Sequence, residues 1–355
     1  MGRNLQLPKL ILAPMAGYTD PPFRRICREL GAEWGITELI SADGISTLFP
    51  RFKLWAKDNK MTLLEAGQKL NTSVANEEKV KGLKLFATAK IEESERPISI
   101  QVFGKHPETI ANAISALIQI YRPDGIDINM GCPAKDVFRH GSGCALLAES
   151  DKVISIIKAA REAVDKSATP DIPLSVKTRL GIENEDELEP LVEPMFKAGL
   201  DMLIVHARIY RDFFSGAPRL AALQKVVKRV RKVKGYVIGN GGVVDLKTAK
   251  EMMKTGVEGI AVGRGAVGNP WLFKGLKDNK EYTPKMDEVI EVVQRHATYA
   301  HEFAGRQGII EMRKHLGAYF RGFPGAKKFR LKLVTVESLT DVTEVLESIH
   351  SNHEN

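Results

Sequence analysis

Cysteine is scarce in this chain: 355 residues hold three, Cys27, Cys132 and Cys144. A small, odd number argues against a disulfide framework and for a reducing compartment. No Cys/His spacing matches a zinc site, so no metal is expected. No apolar run approaches the roughly 20 residues that cross a bilayer. The start, Met1-Gly2-Arg3-Asn4-Leu5-Gln6, lacks a signal-peptide apolar core and the Ser or Thr at position six that myristoylation needs. These absences predict a cytoplasmic protein with no membrane partner. No G-x-G-x-x-G follows the first apolar run, which disfavours a dinucleotide-binding open sheet. Internal repeats and low-complexity tracts are also missing.

Hydrophobic residues make up 43% and charged residues 27%, enough apolar material for a full core in a soluble protein. The net charge is +8, which favours an anionic partner such as nucleic acid. The charge is unevenly spread. Residues 306–332 hold eight basic side chains (Arg306, Arg313, Lys314, Arg321, Lys327, Lys328, Arg330, Lys332) against Glu311 alone. The remaining tail has five acids and no Lys or Arg. Residues 225–234 are a second basic run, readable as more of the same surface or as the outer face of a barrel helix.

Eight short apolar runs read as strands: 10–15, 34–40, 98–104, 125–131, 174–180, 202–208, 235–242 and 259–265. Helical periodicity fills most gaps, as at 109–121, 151–164 and 246–255. Continuous apolar strands alternating with helices predict a parallel sheet covered on its outer face. Eight such units match an α/β fold of the (β/α)₈ TIM barrel type. The stretch 41–97 is long; it reads as a helical excursion plus a loop, with a polar section at 71–90. A linker is expected at 277–285, which contains Pro284. The prediction is a catalytic barrel over 1–284 and a small all-helical domain over 285–355, with Gly322-Phe323-Pro324-Gly325 as a turn.

Polar residues gather at the C-terminal ends of these strands, where barrel active sites are built. Asp127-Ile128-Asn129-Met130-Gly131-Cys132-Pro133 places a thiol at the barrel mouth, and the Asn129 amide there can bind a planar polar ligand. Cys132 reads as a structural thiol, a nucleophile or a proton donor. A free cysteine is mostly protonated at neutral pH, which suits a general acid. Cys144 and Cys27 read as packing residues. Gln101, Lys177, Arg179, His206 and Asn240 occupy neighbouring strands. Lys177 and Arg179 share a face at spacing i, i+2, as do His206 and Arg208. Cations that converge in this way repel one another unless an anion or polar ligand lies between them. Gly239-Asn240-Gly241-Gly242 and Gly263-Arg264-Gly265-Ala266 follow the last two strands, where barrels commonly bind phosphate. Glycine there lets backbone amides approach an oxyanion. In Ala13-Pro14-Met15-Ala16-Gly17, small residues and a fixed proline would let a flat ring lie against the backbone, or form an ordinary turn.

Taken in order, these segments resemble the tRNA-dihydrouridine synthases. The resemblance is carried by Ala13-Pro14-Met15-Ala16-Gly17-Tyr18-Thr19-Asp20-Pro21-Pro22-Phe23-Arg24, Asn129-Met130-Gly131-Cys132-Pro133-Ala134-Lys135, Lys177-Thr178-Arg179-Leu180-Gly181 and His206-Ala207-Arg208. The two glycine segments continue it, the second extending to Val267-Gly268-Asn269-Pro270-Trp271. Met312-Arg313-Lys314-His315-Leu316 and Phe323-Pro324-Gly325-Ala326 are similar to the bacterial B-type members. The stretch 41–97 is longer than that pattern. The resemblance implies an FMN-dependent enzyme that reduces uridine to 5,6-dihydrouridine in tRNA, with NADPH as reductant. By that resemblance, hydride would pass from reduced FMN to C6, and Cys132 would donate a proton to C5. Asn129 would hold the uracil edge, with Arg179 and Arg208 on the substrate side. Gln101 and Lys177 would bond the flavin ring, His206 would lie close to it, and Pro14, Met15 and Ala16 would back it. Asn240, Gly241, Gly242, Gly263 and Arg264 would surround the phosphate. A monomer is expected. The alternatives are an FMN barrel of the dihydroorotate dehydrogenase kind acting on a free pyrimidine, and a non-catalytic tRNA-binding protein.

Overall fold

The computed structural model describes residues 5, 7–70, 83–323 and 326–353. Eight parallel strands close into a barrel, as the periodicity predicts. They are β1 (Leu10–Leu12), β2 (Trp34–Ile36), β3 (Ile98–Phe103), β4 (Gly125–Met130), β5 (Leu174–Gly181), β6 (Met202–Ile209), β7 (Tyr236–Asn240) and β8 (Gly259–Val262). Closure comes from β1 beside β8, with Ile11 opposite Ala261, and β2 beside β3, with Gly35 opposite Ile98. The expected 34–40 run divides: Ile40–Ser41 forms its own short pairing with β3. Several runs extend past their strands, because Ala13–Met15, 241–242 and 263–265 leave the sheet as the loops of the mouth.

Every residue of β4 and β6 is buried, which explains their unbroken apolar reading. Residues at spacing two point into the barrel, and the interior divides in two. Ile11, Ala13, Trp34, Ile36, Met202, Ile204, Ile238 and Ala261 pack as an apolar cluster. Strands β3 to β5 turn Ser99, Gln101, Asp127, Asn129 and Ser175 into buried positions. That polar sector needs partners for each group, because an unpaired buried polar atom costs about 1–3 kcal/mol.

Helices cover the outside, including Pro107–Tyr121, Ser150–Asp165 and Leu246–Met253. The long excursion is helical too: Ala42–Asp58, Leu63–Lys69 and Lys84–Thr88. Its aromatic contact between Phe52 and Phe86, 4.6 Å between centroids, rests against the wall, and Tyr121 donates to the Phe86 carbonyl at 2.6 Å. Within the polar section, residues 71–82 lie outside the described residues. Buried Arg24 ties this excursion to the mouth, donating to the Thr19 carbonyl (2.6 Å), the Lys90 carbonyl (3.0 Å) and Glu95 Oε1 (3.0 Å).

After the barrel come helices Met286–Tyr319, Ala326–Leu333 and Leu339–His353. The first breaks at Ala304 and Gly305, where Gly305 takes φ 57°, a value glycine adopts at little cost. These helices bury Val289, Val293, Met312, Leu316, Val342 and Leu346 in one cluster, which also takes Ile26 from helix Pro21–Glu29 and Trp271. Pro324 and Gly325 of the expected turn lie outside the described residues. Among the described residues, no helix is long and apolar enough to cross a membrane.

Candidate active site

The register of the strands aligns the polar residues across the barrel mouth. Asn129 lies opposite Lys177, Arg179 opposite His206, and His206 opposite Asn240. A cavity of about 370 Å³ opens there, a size suited to a small-molecule cofactor. Pro14, Met15, Lys177, His206 and Asn240 line it, together with Gly241, Gly242, Gly263 and Arg264. These are nine of the expected site residues. Ala16 is exposed and does not line the cavity. A larger depression of about 1220 Å³ lies at the opposite rim, beside Lys9, Trp34, Asp124 and Pro173. It adjoins the N-terminal ends of the strands, away from the side where barrels place their chemistry.

Gln101, Asn129 and Cys132 form a chain of hydrogen bonds beside the cavity. Asn129 Oδ1 accepts from the backbone N–H groups of Gly131 (3.1 Å) and Cys132 (2.9 Å). Asn129 Nδ2 donates to Gln101 Oε1 at 2.9 Å, and Gln101 Nε2 donates to Asp127 Oδ2 at 2.7 Å. Ser175 donates to the other Asp127 oxygen. Asp127 therefore orients Gln101, which orients Asn129, which fixes the turn bearing the half-buried Cys132. Sequence reasoning quoted Asp127 without giving it a role; its i, i+2 relation to Asn129 was the available signal. Burial raises its carboxyl to about 6, against the lowering influence of Ser175, Gln101 and Lys177.

The cations are arranged differently from a simple ring. Arg179 is 1% exposed and donates to the carbonyls of Gly131 (3.0 Å), Ile209 (2.9 Å) and Phe213 (2.7 Å). It joins the Cys132 loop to the loop after β6. Arg208 donates to Ser215 O (3.1 Å), Gly216 O (2.7 Å) and His206 Nε2 (3.1 Å). Neither arginine lines the cavity. Arginine has no acceptor, so the contact makes His206 Nε2 the unprotonated nitrogen. Burial, then Lys177, Arg179, Arg208 and Arg264, pushes His206 down to about 2. Burial, then Arg179, lowers Lys177 to about 8. The imidazole is thus a neutral member of a strongly positive pocket.

Both glycine segments have structural reasons. A Cβ on Gly241 (φ 103°) would meet His206 Cδ2 at 2.5 Å, and one on Gly242 (φ 79°) would meet Pro218 Cγ at 3.0 Å. Asn240 Nδ2 donates to the Ala261 carbonyl at 2.6 Å, tying β7 to β8 beneath them. Phe214, which periodicity does not mark, lines the cavity and lies under Arg264 at 4.7 Å. Among the described residues no cluster of His, Cys, Asp and Glu could hold a metal.

A family model for dihydrouridine synthase (Dus) matches residues 11–354. The chain belongs to the dihydrouridine synthase family. Within that family it is 31% identical to a probable tRNA-dihydrouridine synthase of Aquifex aeolicus, covering 97% of this chain and 96% of that protein. It is 30% identical to tRNA-dihydrouridine synthase B of Pseudomonas aeruginosa, covering 91% of this chain and 86% of that protein. Among solved structures, TcOYE with pHBA aligns over 79% of this chain and 91% of that one, with 12% identity and a TM-score of 0.47. The dihydrouridine synthase match runs from β1 into the last helix, so it includes both the barrel and the helical tail.

Proposed function

We propose that this chain is an FMN-dependent tRNA-dihydrouridine synthase, reducing uridine in tRNA to 5,6-dihydrouridine with NADPH as reductant. The observation that carries the reading is the anion-seeking cavity lying against the Asp127–Gln101–Asn129–Cys132 chain. The residues fit an FMN. Lys177 and Arg264 provide positive charge, the glycine segments leave room at the backbone, and among the described residues no carboxylate lines the cavity. Pro14 and Met15 provide a low wall for a flat ring, and His206 and Asn240 a polar floor. When bound, the reduced flavin supplies the hydride that saturates C6 of uracil.

The protein does the rest. Cys132 gives its thiol proton to C5, completing the addition of two hydrogens across the double bond, and regains a proton from solvent. Asn129 presents an amide to the uracil edge while holding the Cys132 loop. Arg179 and Arg208 position loops through carbonyls. The base must leave its stack to reach the mouth. Residues 1–284 hold cofactor and chemistry, and residues 285–355 supply a basic face for tRNA phosphates. A barrel acting on a free pyrimidine would have no use for that face.

Exchanging Cys132→Ala should leave the flavin bound and reducible by NADPH while tRNA turnover falls about 100-fold or more, the range for loss of a general acid. Turnover equal to that of the unaltered protein would refute the proton-donor role.

A further inference from the structure

The cavity has a contributor from outside the barrel. Arg321, beyond the end of helix Met286–Tyr319, lines it together with Gly241, Gly242, Gly263 and Arg264. We infer that Arg321 completes the phosphate site, so that the helical tail holds one side of the cofactor. The inference rests on the FMN reading above and adds a residue and a segment to it.

The segment is fixed at the right place. Gly268, in the loop after β8, takes φ 78°, and a Cβ there would meet the Ala318 backbone at 2.5 Å. The end of the helix is therefore seated directly on the loop that carries Arg264. The Trp271 and Tyr319 rings meet edge to face at 6.0 Å, and Phe320 is fully buried. The Arg321 backbone N–H donates to the Ala318 carbonyl at 3.2 Å. Arg321 itself is exposed.

Charge gives the reason for its placement. Arg306 pairs with Glu337, and Arg313 donates to Val336 O at 2.7 Å and Thr335 O at 3.1 Å. Among the described residues no carboxylate pairs with Arg321. Lys177, Arg264 and Arg321 thus converge on one cavity whose lining, among the described residues, contains no Asp or Glu. Like charges gathered in this way are favourable only with an anion between them. Arg264 spends part of its guanidinium on Phe214, with Nη2 at 3.4 Å from the Phe214 carbonyl. A second arginine supplies the donors that this contact withdraws.

The test uses full-length protein stripped of flavin, titrated with FMN and with riboflavin by fluorescence quenching. Arg321→Ala should weaken FMN about tenfold, as expected for one charge-assisted contact, and leave riboflavin unchanged. Arg321→Lys should recover most of the loss. Unchanged FMN affinity in Arg321→Ala overturns the inference, as does an equal loss for both ligands, which would report a folding defect. A fall in tRNA affinity with FMN affinity intact also overturns it and assigns the residue to RNA. Arg264→Ala separates the underlying reading. If it too leaves FMN unchanged, and the unaltered protein binds both ligands alike, the phosphate site itself is wrong.

Discussion

Asn129 uses a single oxygen to hold two backbone amides, and this sets the position of the neighbouring thiol. Removing that oxygen leaves both donors short of a partner. Asn129→Ala should lower unfolding stability by about 1–3 kcal/mol in urea melts. It should also reduce turnover more than tRNA affinity; an unchanged melt would show that the oxygen is dispensable. The strand-end residues were readable because alternation fixes which side chains share a face. Lys177, His206 and Asn240 are indeed brought to one cavity. Alternation says nothing of what a side chain touches once there. Arg179, which the family resemblance puts on the substrate side, is buried against three carbonyls. Phe214 and Arg321 carried no periodic signal, because a loop and a distant helix end reach the cavity only through tertiary folding.

Between helix Pro21–Glu29 and helix Met286–Tyr319 sits a buried aromatic layer. Phe23 packs on His315 at 4.4 Å, His315 meets His296 at 5.1 Å, and His296 Nδ1 lies 3.0 Å from the Tyr319 hydroxyl. Burial, then Lys314, pushes His296 down to about 3; burial, then His296 and Lys314, holds His315 well below its ordinary range. Both are neutral in the native state. The unfolded chain protonates them below about 6.5, while the native chain does not. Their stabilising contribution is present above that pH and lost as pH falls, for His296 down to about 3, by up to about 1.4 kcal/mol per pH unit for each ring. Urea melts at pH 7, 6 and 5 should show the loss, and His315→Leu should flatten it; parallel pH slopes would count against the account. The elements themselves were legible where pattern and length agreed, as for the eight strands. Strand ends were not, since glycine-rich loops continue the apolar run after pairing stops. In the excursion, tertiary contact such as Phe52 on Phe86 decides the shape.

Across the whole molecule, the basic residues divide by their partners. On the outer barrel helix, Lys225 pairs with Asp186 and Arg229 with Glu189, the pattern of a solvated barrel face. In the tail, Lys327, Lys328, Arg330 and Lys332 are exposed along helix Ala326–Leu333, which therefore offers the stronger surface for phosphates. Reversing Lys327→Glu and Lys328→Glu together should weaken tRNA binding. The slope of log affinity against log salt should drop by about 0.9 for each lost phosphate contact, with flavin content unchanged. Filter binding between 50 and 200 mM salt, over which the Debye length falls by about half, measures it; an unaltered slope would place the RNA elsewhere. The composition announced this charge, but only ion-pair geometry separates the free cations from the neutralised ones. Ile26 belongs to the barrel's first helix, yet its side chain is packed among the residues of the tail. Anyone recombining tails between relatives must therefore move two separated stretches of sequence together, because a splice at the apparent linker would join one partner's helix to a stranger's socket.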